Sequence, residues 1–298
     1  MTDNKFSAII VVCILVFLMA TGCGSQARPA PAEPDDEILY ATYPADIDRI
    51  IQDGFILERP DLLPLIAQSR SINEHAVGWL RIPNTEVDDV VLYYDDSYSP
   101  EPNSFYLRRG FDGGFSFEGV YFADFRSSFD GTAEGLARNT VIYGHALDIN
   151  NNYNAKRFSQ LKRFDPTLSD NGEQFARENP YIFFSVEKEN LVWEIFAVFD
   201  ATIRLPYNIP TLQDMDFMHV IREAKERSFY IYDDIEVGVD DKIITLSTCT
   251  YKYDQNYPND YRYVIMAKLA DQDGPFREMA NLELNPSPRH PRELEAWW

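Results

Sequence analysis

A cysteine, a histidine and an arginine, each at the end of a short β-prone run, are the residues of this chain best suited to chemistry. Cys249 closes the run Ile243-Ile244-Thr245-Leu246-Ser247-Thr248, His145 follows Val141-Ile142-Tyr143-Gly144, and Arg262 opens a third run at Tyr261. Cysteine attack on a carbonyl needs a thiolate, a proton donor for the leaving group and positive character near the oxyanion. His145 can supply the proton as imidazolium and later take one from the incoming nucleophile. Arg262 can donate hydrogen bonds without losing its charge. Taken singly, each has a plainer reading. Cysteine is among the most buried residue types, a lone histidine is weak evidence, and an arginine at a strand end is commonly solvated or ion-paired. The other histidines, His75, His219 and His290, form no pair with metal-ligand spacing. No metal and no cofactor is expected.

The cysteine gains weight from the compartment. Residues Phe6 to Ala20 are almost entirely apolar, with Lys5 before them. The run is short for a membrane span and fits the apolar core of a secretion signal. It ends Ala20-Thr21-Gly22-Cys23, small residues before a cysteine, which resembles a lipoprotein processing box and makes Cys23 a candidate lipidation site. Ala20 stands where such boxes usually carry a larger aliphatic residue, and an uncleaved signal anchor is the alternative. Either way the membrane is a partner through residues 1–23, and the rest lies on the extracellular face of the cytoplasmic membrane. Residues 24–40, with the Pro-, Ala- and acid-rich run Arg28 to Glu37, read as a stiff, solvated spacer. A single thiol beyond the anchor, exposed to an oxidising compartment, adds weight to a chemical role for Cys249, with a buried structural thiol as the alternative.

The chain has 298 residues, 45% hydrophobic and 14% aromatic, enough to bury one sizeable core. Its formal net charge of -21 excludes nucleic acid as an expected partner, since phosphate binding needs clustered Lys and Arg.

These residues must be positioned by many short strands. Ala45 to Ser69 reads as two helical pieces, the second restarting at Pro60-Asp61 over Leu62, Leu63, Leu65 and Ile66. Strands are predicted over Val77–Ile82, Val87–Tyr94, Gly119–Asp124 and Asn139–Tyr143, with a short ordered piece at Phe105–Leu107. Phe158, Leu161 and Phe164 suggest a short helix, Gly172–Glu178 another, and Tyr181–Val186 with Leu191–Ala201 a hairpin. Leu212–Tyr230 is helical, with Phe217, Val220, Ile221 and Ala224 on its apolar face and Lys225, Glu226 and Arg227 facing water. Lys242–Thr248 and Tyr261–Leu269 are the last strands, and a polar, proline-rich tail over 273–298 follows. Few long helices and no βαβ rhythm predict a mainly antiparallel barrel or curled sheet.

On these residues the chain resembles the sortase family, and most closely its class B. Thr245-Leu246-Ser247-Thr248-Cys249 matches the family's TLxTC motif. Asn139-Thr140-Val141-Ile142-Tyr143-Gly144-His145 resembles its histidine strand, and Arg262 in Tyr261-Arg262-Tyr263-Val264-Ile265 stands where its arginine opens the last strand. Val77 to Thr85 resembles the first barrel strand and turn, and Gly119 to Arg126 a later strand. The likeness spans about 60 to 270, and the leading helices and the helix before the cysteine strand favour class B. It implies a closed, roughly eight-stranded β-barrel over a catalytic domain of residues 41–272, in a membrane-tethered transpeptidase of Gram-positive bacteria. It further implies that Cys249 attacks the Thr carbonyl of an NPQTN-like or LPxTG-like sorting signal of a surface protein. His145 would protonate the departing amine and Arg262 would steady the signal and the oxyanion. A peptidoglycan or precursor amine would then accept the acyl group. Ser247 and Thr248 are candidate groove-lining residues.

The Cys249–Arg262 loop, Thr250 to Tyr261, is long for the family pattern. A partly exposed thiol beside a permanent arginine charge predicts a thiolate–imidazolium pair in only part of the population. Two other classes remain open from the sequence: a surface lipoprotein whose barrel only binds peptides, and a purely hydrolytic cysteine peptidase.

Overall fold

The computed structural model describes residues 59–147, 150–253 and 260–293. Cys23, the apolar leader, the spacer and the first predicted helical piece lie outside the described residues, as do the central residues of the loop between Cys249 and Arg262.

The first described helix, α1 (Leu63–Ile72), carries Pro64 in its first turn, where the missing N–H costs nothing. The Leu62 N–H before it donates to Asn190 Oδ1 at 2.9 Å, which ties the helix entry to the turn at residues 187–191. The strands β1 (Ala76–Arg81), β2 (Asp88–Leu92), β3 (Tyr121–Ala123), β4 (Asn139–Tyr143), β5 (Tyr181–Val186), β6 (Val192–Thr202), β8 (Ile243–Cys249) and β9 (Tyr261–Leu269) close a barrel in the order β1-β2-β3-β4-β8-β9-β6-β5. β2–β3 and β4–β8 pair in parallel, and the other pairings around the barrel are antiparallel. Closure leaves no free edge among these strands.

β5 and β6 are buried along almost their whole length, on both faces, because side chains fill the barrel while helices and loops cover the outside. Phe184, Trp193, Phe196 and Phe199 are among the largest fully buried side chains. A 3-10 helix over Phe158–Phe164 drives Phe158, Leu161 and Phe164 into the same core, with Phe158 stacked on Tyr121 at 4.6 Å. Each such aromatic contributes about 1.5–3 kcal/mol by leaving water. Gly78 in β1 has no room for a side chain: a Cβ would sit 2.5 Å from the Ser185 carbonyl oxygen and 2.6 Å from the Phe184 ring.

α2 (Gly172–Glu178) packs on the 3-10 helix, and α3 (Asp214–Arg227) lays Phe217, Val220, Ile221 and Ala224 on the outside of the barrel against β6. Arg227, expected in water, is instead 1% exposed. It is paired with the equally buried Glu223 one turn earlier, and a buried guanidinium persists only with such a partner. The chain after β9, expected as a polar tail, packs back onto the domain over its described part. Its Ala280 and Leu282 are buried, and β10 (Glu283–Leu284) pairs with β7 (Tyr230–Ile231). Arginines at 277, 289 and 292 along this stretch have acidic or phenolic partners, which is how so polar a sequence docks.

Candidate active site

Three adjacent strands end at one rim of the barrel. In β8 the run Ile243 to Thr248 is buried and only the last residue, Cys249, is partly exposed. On one flank β9 pairs antiparallel with β8, and Cys249 is directly opposite Arg262. On the other flank β4 pairs in parallel with β8, with Tyr143 level with Ser247. The ladder continues past the strand: the Gly144 N–H reaches the Ser247 carbonyl at 3.4 Å, and the Thr248 hydroxyl donates to the Gly144 carbonyl at 2.7 Å. His145 stands two residues beyond Tyr143, as Cys249 stands two beyond Ser247. Side chains at matched positions of neighbouring strands share a face. The sequence-predicted cysteine, histidine and arginine thus sit at one end of three neighbouring strands, each partly accessible to solvent.

His145 is oriented by a main-chain group. Its Nε2 lies 2.6 Å from the Leu107 carbonyl oxygen, which can only accept, so the proton resides on Nε2 and Nδ1 is the nitrogen left for proton exchange. Leu107 belongs to the long excursion between β2 and β3. Burial pushes the imidazole below its usual range, the Leu107 carbonyl opposes that shift, and the Arg108 and Arg157 charges add to it. Gly119 keeps this contact open. It has a φ of +61°, and a Cβ there would lie 2.9 Å from the Leu107 oxygen and 3.3 Å from His145 Cδ2.

Arg262 donates from Nη1 to the Tyr261 carbonyl at 2.9 Å. The phenol of Tyr251 is pushed up by burial and by the Cys249 charge, while Arg262 and Arg108 pull it down. Tyr207 feels burial first, then Arg262 and Cys249. Tyr207 and Tyr251 thus both lie near Cys249 and Arg262.

Ser247 and Thr248, predicted as groove-lining, are 2% and 3% exposed. The Ser247 hydroxyl is 3.0 Å from the Tyr207 hydroxyl, and that of Thr248 is spent on the Gly144 carbonyl. Tyr207 lies on the connection between β6 and α3, as does Asn208, whose Nδ2 donates to the Tyr143 hydroxyl at 3.0 Å. That connection is thereby braced against the cysteine and histidine strands.

Two buried polar knots hold the chain just after Cys249. Asn151 Oδ1 accepts from the Tyr251 N–H at 3.0 Å and from Lys162 Nζ at 2.9 Å. Lys252 Nζ then lies 2.6 Å from Asp165 Oδ2 and 2.6 Å from Asp200 Oδ2, and the Tyr253 hydroxyl donates to Asp200 at 2.9 Å. Burial pushes Asp200 up to about 6, against the pull of Lys252. The same carboxylates raise Lys252 despite its own desolvation. Sequence reasoning missed Leu107, Tyr207 and this lysine. Leu107 acts through its backbone and has no side-chain signature. Lys252 is marked only by standing three residues after the cysteine.

A closed barrel presenting a partly exposed thiol beside a guanidinium and a backbone-oriented imidazole is equipped for acyl transfer through a cysteine. Residues 120–270 match the sortase domain. The chain is 31% identical over 202 residues to sortase B of Listeria monocytogenes, covering 67% of this chain and 72% of that protein. Among solved structures, the Staphylococcus aureus sortase B–substrate complex superposes with a TM-score of 0.56 at 26% identity, covering 70% of this chain and 86% of that one. Clostridium perfringens sortase B superposes with a TM-score of 0.55 at 27% identity, covering 69% and 99% respectively. The chain belongs to the sortase family, its likeness is to class B, and it is a cysteine transpeptidase of the class that acts on sorting-signal peptides.

Proposed function

We propose that Cys249, His145 and Arg262 carry out sortase transpeptidation on the C-terminal sorting signal of a surface protein. The thiolate of Cys249 attacks the Thr carbonyl of an NPQTN-like or LPxTG-like segment. The S–C bond forms, the Thr–X amide C–N bond breaks, and the departing amine takes its proton from His145 Nδ1. With Nε2–H held by the Leu107 carbonyl, the ring meets this step as an imidazolium whose second N–H is already stabilised. Arg262 donates to the oxyanion and the bound signal. An amine of peptidoglycan or its precursor then attacks the thioester, returns a proton to His145 and releases Cys249. Water in its place gives slow hydrolysis.

The observation that supports this reading is the register: Cys249 opposite Arg262 across β8–β9, with Tyr143, two residues before His145, level with Ser247, two residues before Cys249, across the parallel β4–β8 pair. Ser247 and Thr248 serve the substrate indirectly, by shaping the strand that presents the thiol, because their hydroxyls are engaged within the protein. The domain works on the extracellular face of the cytoplasmic membrane, tethered through residues 1–23 or lipid on Cys23, and residues 24–40 space it from the bilayer. Among the described residues no helix is long and apolar enough to cross a membrane.

Incubation with NPQTN and LPxTG peptides and triglycine, read by mass spectrometry, tests the assignment. An acyl adduct and a transfer product that vanish in Cys249→Ala are expected. Peptide binding with no adduct would mean a binding module, and adduct without transfer a peptidase.

A further inference from the structure

The segment Asn285–Glu293 lies beyond the sortase-domain match and reaches Tyr253 and Tyr261, two residues of the stretch between Cys249 and Arg262. Tyr261 is the joint between the two catalytic strands. Its carbonyl accepts from Arg262 Nη1 at 2.9 Å and from the N–H of Thr250, the residue after Cys249, at 3.4 Å. Tyr261 itself is 2% exposed, and its ring packs against groups of its own. The hydroxyl accepts from Arg292 Nε, and the Arg292 guanidinium stands 5.4 Å from the ring centre. The Tyr261 ring also leans on that of Tyr253, with centroids 5.0 Å apart. Tyr253 in turn meets His290 edge to face at 5.2 Å.

The segment is itself anchored on α3 and the chain after it. Arg289 Nη1 donates to the fully buried Glu223 at 2.6 Å and also pairs with Glu226, while its N–H reaches the Glu226 carbonyl at 2.9 Å. The Asn285 N–H donates to the Phe229 carbonyl at 2.9 Å, its side chain to the Ser228 carbonyl at 2.9 Å, and Arg227 to the Glu293 carbonyl. The segment is thus held on α3 through Arg289 and, three residues on, meets through Arg292 the Tyr261 whose carbonyl accepts from both Arg262 and Thr250.

We propose that Asn285–Glu293 is a positioning strap for the transfer reaction, in which Arg292, through Tyr261, holds Arg262 in register with Cys249. Arg292 and His290 are positioning residues that act through Tyr261 and Tyr253. The proposal rests on the catalytic reading of Cys249 and Arg262. Loss of a support of this kind misplaces a reacting group without removing it, and small misplacements cost about ten- to a hundredfold in rate.

The test compares Arg292→Ala, Arg292→Lys and Tyr261→Phe in the full chain. Two readouts are used: the pH profile of Cys249 alkylation by iodoacetamide, which needs no substrate, and turnover of an NPQTN peptide with triglycine. In Arg292→Ala the thiol limb of the alkylation profile moves to higher pH as the arginine charge loosens from the thiolate. Turnover falls about tenfold in kcat with KM little changed. Arg292→Lys, which can still donate to the Tyr261 hydroxyl, recovers part of both. Tyr261→Phe keeps the ring and removes the acceptor, so it shows the same direction even if the alanine variant folds poorly. Wild-type profiles and kcat in both Arg292→Ala and Tyr261→Phe overturn the strap. Arg262→Ala separates the two claims: if it too leaves profile and turnover unchanged, the catalytic reading has failed, and if it alone changes them, only the strap has.

Discussion

Replacing Lys252 by Met removes a cation held between two buried carboxylates, Asp165 and Asp200. The Lys252 side chain is 12% exposed, and those of Asp165 and Asp200 are 0% and 1% exposed. Methionine keeps most of the aliphatic volume, so the loss is electrostatic. Removing one member of a buried pair costs about 3–5 kcal/mol, because the remaining charge is left without compensation. The sign with pH follows from Asp200, which burial lifts from its ordinary range to about 6. Between those two values the folded chain holds a proton that the unfolded chain has released, so stability falls as pH rises. Without Lys252 to pull it down, the carboxyl titrates higher and the window extends toward neutrality. The deficit of Lys252→Met should therefore shrink between pH 7 and pH 5, by up to about 1.4 kcal/mol per pH unit for each proton taken up. Urea melts at pH 5, 6 and 7 measure this. Turnover should fall as well, since Lys252 fixes the chain three residues after Cys249. A variant within 1 kcal/mol of wild type at pH 7, or one whose deficit grows as pH falls, would refute the reasoning.

Gly119→Ala forces a side chain onto a φ of +61° and against the Leu107 carbonyl that orients His145. It should cost about 1–2 kcal/mol in stability and lower kcat beyond what incomplete folding explains, and wild-type kcat in folded protein would count against the role of Leu107. The pKa of His145, lowered mainly by burial, makes the imidazolium scarce at neutral pH. An inflection below 6.5 is expected in the Cys249 alkylation profile, absent in His145→Ala, and its survival there would exclude coupling of the two groups. By the same shift, protonating His145 opposes folding. Stability should rise with pH through the window just below 6.5, and His145→Gln should flatten that rise in melts across it. Gly78→Ala drives a Cβ into the Ser185 carbonyl and should cost about 1–3 kcal/mol by overpacking, with the thiol chemistry of the folded fraction unchanged.

Much of the barrel was legible because β-branched and aromatic runs bounded by turn residues leave little choice of local structure. Asn139–Tyr143, Tyr181–Val186 and Tyr261–Leu269 form with the bounds that pattern indicates. The site candidates were legible as residue types at run ends: a thiol after Thr248, an imidazole after Gly144 and a guanidinium after Tyr261. The partners across space were not. The parallel pairing of β4 with β8 joins strands about a hundred residues apart, and local propensity carries no trace of it. Arg227 read as a surface residue because its spacing sets it beside other charges; its burial follows only once Glu223 and the returning chain enclose it. Leu107 serves through a carbonyl that every residue possesses. The docking of 285–293 depends on ion pairs whose members are far apart in the chain. The sequence by itself determined the strands, the buried faces and the chemical groups at the strand ends, because those follow from neighbours along the chain. Only the tertiary structure decided which strand ends lie side by side, which nitrogen of His145 is held and which groups meet the Tyr261 carbonyl, because those are set by register, main-chain groups and charges that come together only when the barrel closes.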